Sequence, residues 1–152
     1  MNCSRRTVLA TSSALVLLVA AGIISPEQAF AASDGRPAFD AKTLSEALAA
    51  VGGTTVSSKD IAISSPDIAE NGAVVPVNVA STIPNTQEIY ILVEKNPQPM
   101  SAGFIIPGGT EPAIQTRVKM GQSSNVIAVV KADGKLYSHS KETKVTLGGC
   151  GG

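Results

Sequence analysis

The chain has no tryptophan, one histidine (His139) and two cysteines (Cys3 and Cys150) in 152 residues, and aromatic residues make up only 3% of it. Each scarcity removes a class of chemistry. One histidine and one distant cysteine do not make an ordinary protein ligand set for zinc or copper. Nothing in the sequence places His139 beside Cys150 as a Cys-His pair, or in a Ser-His-Asp arrangement. His139 instead falls on a strand face that it would share with Tyr137, as an exposed or rim residue. Charged residues are sparse too, at 16%, and their carboxylates are scattered through loops and polar faces with no pair set apart for acid–base work. The glycine-rich PGGTEP (Pro107 to Pro112) lacks the Lys-Ser/Thr of a phosphate loop and a helix after it, so it reads as a turn. The expectation is a protein that is not an enzyme and holds neither metal nor cofactor.

The first 31 residues have the layout of an export signal. Arg5 and Arg6 precede an apolar stretch of 17 residues, Val8 to Ile24, marginal in length for a spanning helix, and Ala29-Phe30-Ala31 offers small residues for cleavage. The paired arginines point to the twin-arginine type, which exports folded cargo, and so to a periplasmic location; an ordinary secretory leader that begins with two arginines is the alternative. Cys3 lies ahead of the apolar stretch and leaves with the signal. Cleavage would remove two of the twelve basic residues and one of the twelve acidic ones, for a net charge near −1. That balance favours neither nucleic acid nor an anionic membrane surface as partner.

From Asp40 to Val51, DAKTLSEALAAV predicts a helix. Leu44, Ala47, Leu48 and Val51 share a face, Thr43 with Glu46 can form a capping box, and Gly52 and Gly53 stop the helix. After that the period changes to two. Strands are predicted over 61–65, 73–81, 88–95, 102–107, 113–120, 125–132 and 135–140, with a last one over 144–147. In 113–120, Ile114, Thr116, Val118 and Met120 take one face and Gln115, Arg117 and Lys119 the other. Asp133-Gly134 is a type I′ hairpin signal. Pro76 cannot donate to a ladder, which calls for an edge or a bulge there. Ile127 and Val129, apolar on a nominally wet side, suit either a second core face or an interface. The pattern predicts an all-β, antiparallel, immunoglobulin-like sandwich over 32–146 with a short N-terminal helix, a small barrel being the alternative.

The mature chain keeps a single cysteine, and that cysteine sits in LGGCGG, residues 147–152. Its neighbours carry no side chains, so no adjacent cation stabilises a thiolate, and the Gly152 carboxylate disfavours one. The segment is built to present a thiol more than to activate it. Gly148, Gly149, Gly151 and Gly152 make it flexible and thin, and from Val145 the sulfur can stand roughly 17 Å from the domain. The plain alternative is a structural or adhesion module that dimerises through an interchain Cys150 disulfide.

The ending KVTLGGCGG, the stretch IAENGAVVPVNV (Ile68 to Val79), the segment from Thr110 to Val145 and the twin-arginine leader together resemble the SoxY family of sulfur carriers. The resemblance spans essentially the whole mature chain. It implies an immunoglobulin-like domain paired with a second β-sandwich subunit, SoxZ, and Cys150 as the point of covalent substrate attachment. It implies transient encounters with the c-type haem enzyme SoxXA, which joins thiosulfate to the cysteine, and with the dimanganese hydrolase SoxB, which releases sulfate. In organisms that have it, SoxCD oxidises the sulfur left behind.

Overall fold

The computed structural model describes residues 36–146. The predicted export signal and the LGGCGG segment lie outside the described residues. The predicted helix over 40–51 starts four residues later, as α2 (Leu44–Val51), and a separate helix that was not predicted, α1 (Arg36–Asp40), precedes it. Thr43 is the reason for the later start. As N-cap of α2 it has an extended backbone (φ −128°, ψ 154°), its hydroxyl accepts from the Glu46 N–H, and the Glu46 carboxylate accepts from the Thr43 N–H at 3.2 Å. A residue in that conformation cannot also lie inside a helix that starts at Asp40. Gly52 (φ 137°) and Gly53 end α2, with the Gly53 N–H donating to the Leu48 carbonyl at 2.7 Å.

Nine strands follow: β1 (Thr55–Ser57), β2 (Ile61–Ser64), β3 (Ile68–Ala69), β4 (Val75–Ser81), β5 (Thr86–Val93), β6 (Met100–Ile105), β7 (Ala113–Val118), β8 (Ser124–Ala132) and β9 (Lys135–Val145). The larger sheet runs β1-β9-β8-β5-β6 with β3 also on β9, and the smaller runs β2-β4-β7. Pairing is antiparallel except for β1 and β3, which lie parallel to β9. The sandwich is the predicted one. The predicted strand over 144–147 is not separate: β9 continues unbroken to Val145.

Period two explains the packing between the sheets. Along β4, Val75, Val77 and Val79 are buried while Pro76, Asn78 and Ala80 are exposed. They meet Val118 and Met120 from the same side and Ile89, Ile91, Val93, Val126, Ala128 and Val130 from the larger sheet. Pro76 sits in a central strand, yet β2 stops at Ser64 opposite Asn78, so the flank of β4 at Pro76 is uncovered on that side. The missing donor therefore costs no ladder bond to β2. At the β8–β9 turn, Asp133 (φ 49°) and Gly134 (φ 73°) both adopt positive φ, as a type I′ turn requires.

The outer face of the larger sheet is also covered. Val129, Leu92, Met100 and Leu136 pack against Ala38, Ala41, Ala47 and Val51 of the helical segment, with Ile127, Leu44 and Leu48 at the margin. Val129 and Ile127 thus serve a second core face. The result is three layers, with β8 and β5 buried on both sides.

Candidate functional site

The predicted attachment residue Cys150 and its neighbours Gly148, Gly149, Gly151 and Gly152 lie outside the described residues. The root from which they extend is described, and it is firmly held. β9 delivers the chain to Val145 and Thr146, and β3 lies parallel to its last residues, with Ile68 opposite Lys144 and Ala69 opposite Val145. Backbone bonds alternate across this join: Lys144 N–H donates to the Asp67 carbonyl at 2.9 Å and Thr146 N–H to the Ala69 carbonyl at 3.1 Å. On the other flank, Val145 N–H donates to Ser123 Oγ at 2.8 Å. The last described residues are therefore bonded on both sides.

The run that leads into β3 is tied down by side chains. Ser65 and Thr143 share a buried hydroxyl–hydroxyl bond of 2.9 Å. Lys141 Nζ donates to the Ser65 carbonyl at 2.5 Å and pairs with Asp67 at 3.1 Å. Beyond β3 the loop returns over Val145 at Gly72, whose carbonyl accepts from the Met120 N–H at 2.7 Å. A Cβ on Gly72 would lie 2.4 Å from the Met120 carbonyl oxygen and 2.8 Å from Val145 Cγ1. Only glycine fits there without a backbone shift. The loops at this end are stitched further by Asn96, which donates to the Lys119 carbonyl at 2.7 Å and accepts from the Gly121 N–H at 3.2 Å.

His139 is half-buried on β9, paired across to Ala128. Among the described residues no three of His, Cys, Asp and Glu come together as metal ligands. Among the described residues, two open grooves flank the sheets. One, of about 410 Å³, lies between α2 and the larger sheet, walled by Leu44, Leu48 and Ile127 and floored by Thr55, Ser57 and Ser138. The other, of about 370 Å³, crosses the outer face of the smaller sheet over Ala62, Ala80 and Ala113. Among the described residues, the titratable group furthest from its ordinary state is elsewhere, at Tyr90. Burial pushes its phenol well above the usual tyrosine value, and the Glu88 carboxylate that accepts its hydrogen bond and repels its anion adds to the shift. A phenol held neutral in this way is a poor nucleophile.

The root escaped the sequence reading because its contacts join residues about 75 positions apart, such as Ala69 and Thr146. Its one local signal is Asn71-Gly72, a turn pair whose Asn71 Oδ1 accepts from the Ala73 N–H at 2.9 Å.

Residues 47–150 match the family model described as "Sulfur oxidation protein SoxY". Among solved structures, the chain is similar to the sulfur carrier protein SoxY from Chlorobium limicola f thiosulfatophilum, at 41% sequence identity over 69% of this chain and 97% of that one, with a TM-score of 0.63. A superoxide reductase (neelaredoxin) from Ignicoccus hospitalis aligns over 57% of this chain and 80% of its own at 21% identity, but its TM-score of 0.47 carries no argument. No curated protein matches the chain.

Proposed function

The chain belongs to the SoxY family, whose similar solved member is a sulfur carrier, and from that premise we propose that it is a periplasmic carrier holding thiosulfate-derived sulfur covalently on Cys150. The observation that carries this reading is that the family match extends through Cys150 itself, the sole cysteine left once residues 1–31 are removed. The anchored root supports it. A body that grips Val145 and Thr146 on both flanks gives a carrier arm a fixed pivot.

In the cycle proposed for this chain, the Cys150 thiol and thiosulfate join as a Cys–S–S–SO₃⁻ adduct. The thiol releases its proton and two electrons pass to the haem enzyme SoxXA. Water then cleaves the bond between the two outer sulfurs in SoxB, with release of sulfate and two protons, and a persulfide anion remains on Cys150. SoxCD oxidises that sulfur where the host has it. The partners supply oxidant and activated water, so the carrier's thiol needs no activating base of its own. Twin-arginine export delivers it folded, together with a SoxZ-like subunit.

Cys150→Ser tests this directly in a system reconstituted with SoxZ, SoxXA and SoxB. Thiosulfate-dependent sulfate release is expected to fall to background, with the thermal unfolding curve unchanged. Retained turnover would rule out the carrier role.

A further inference from the structure

Two aliphatic side chains stand in solvent beside the root. Ile68 is 60% exposed and Val74 51%, whereas their chain neighbours Ala69 and Val75 are buried. Both flank the part of the loop that clamps the end of β9. Ile68 lies opposite Lys144, and Val74 is two residues, at most roughly 7 Å, from Gly72, which packs on Val145. Single exposed aliphatics are ordinary on a soluble protein, so exposure by itself assigns nothing.

The length of chain beyond the root supplies the second observation. Cys150 is four residues past Thr146, whose N–H is fixed on the Ala69 carbonyl. Fully extended, four residues span about 14 Å. Any enzyme that makes or breaks a bond at Cys150 Sγ or at the sulfur attached to it must bring its reacting centre within little more than that distance of Thr146. Reacting centres lie at the bottom of pockets, so the pocket mouth is then pressed against the loops around the root. The exposed charges there are of both signs, with Asp67, Glu70 and Glu94 against Lys95, Lys119 and Lys144, and present no field of one sign to a partner. The apolar pair is what remains to contribute contact energy.

We propose that Ile68 and Val74 form a docking collar, an apolar contact for the rim of the substrate channel in the enzymes that act on Cys150. The proposal rests on the carrier reading. It assigns the collar to the encounter and leaves the chemistry to the arm.

The test uses the full mature carrier with its SoxZ-like subunit. Tetrathionate charges it: the Cys150 thiolate displaces thiosulfate and keeps the Cys–S–S–SO₃⁻ adduct. SoxB turnover is then measured for wild type, I68S/V74S, and I105S as control. Ile105 is 83% exposed and lies level with Leu136, nine residues and roughly 30 Å up β9 from Val145. A synthetic peptide of residues 145–152, charged in the same way, reports the arm without a collar. The expected result is a loss of roughly tenfold in kcat/KM for I68S/V74S, with kcat held, towards the value for the peptide, and no change for I105S. An unchanged kcat/KM for I68S/V74S, or a wild type no better than the peptide, overturns the collar while leaving the carrier reading intact. So does loss of the SoxZ-like subunit or of a second copy from I68S/V74S in size-exclusion chromatography, which would make the patch a subunit interface. A charged wild type that releases no sulfate overturns both.

Discussion

Tyr90 shows how one side chain ties the sandwich to solvent pH. Its hydroxyl donates to Glu88, whose other carboxylate oxygen accepts from Lys131 Nζ at 3.3 Å. Its ring lies over Gly103, where a Cβ would come within 3.0 Å of it. Burial, with Glu88 adding to it, raises the phenol's pKa in the folded chain above the ordinary 10.0. Below pH about 10, folded and unfolded chains both keep the proton, and stability does not vary with pH through this group. Above it the unfolded chain releases the proton and the folded chain does not, so stability falls as pH rises. Urea unfolding at pH 9 and pH 11 is expected to show a larger drop for wild type than for Tyr90→Phe. Parallel losses would remove Tyr90 as the cause.

At the scale of elements, the helical layer depends on its cap. α2 has only eight residues, too few to be stable on propensity alone, and it covers Val129 and Leu136 through Ala47 and Val51. Thr43→Ala removes an acceptor from the first turn and is expected to cost about 1 kcal/mol of unfolding free energy, with Thr43→Ser restoring most of it. Equal stability of the alanine and serine variants in chemical denaturation would count against the capping box. The same cap illustrates what the sequence makes legible. Thr43 and Glu46 are visible as a box, and the seven longer strands announce themselves by alternation, because both are local patterns. β1 and β3 escape, with three and two residues, since nothing so short has a period; they form because the outer edge of β9 accepts them. β9 is misread only between the two predicted strands, over Lys141 to Thr143, where KET looks like polar loop although Thr143 is fully buried against Ser65. The glycines around Cys150 mark it in the sequence as a thiol built for presentation, and its role as attachment point is the proposal made above, whereas the grip on Val145 and Thr146 is long-range and needs the fold.

For the molecule as a whole, the carrier reading divides the labour between a body that fixes the root and a segment that enters other proteins. The two parts are expected to fail differently. Weakening the body's contact with a partner removes binding made equally before and during reaction, which raises KM and leaves kcat alone. Thickening the segment acts later, once the carrier has docked. Replacing Gly148 and Gly149 with valine adds β-branched side chains and closes the positive-φ region that glycine permits, so the adduct is expected to reach the reacting centre less often. The reaction of Cys150 with a small thiol reagent in free solution should be unchanged, because the sulfur itself remains unhindered. SoxB turnover of the charged carrier is expected to slow by roughly tenfold in kcat, an increase of about 1.4 kcal/mol in the barrier. If the loss appears in KM instead, the glycines act in docking; if neither constant moves, thinness is not what Gly148 and Gly149 contribute.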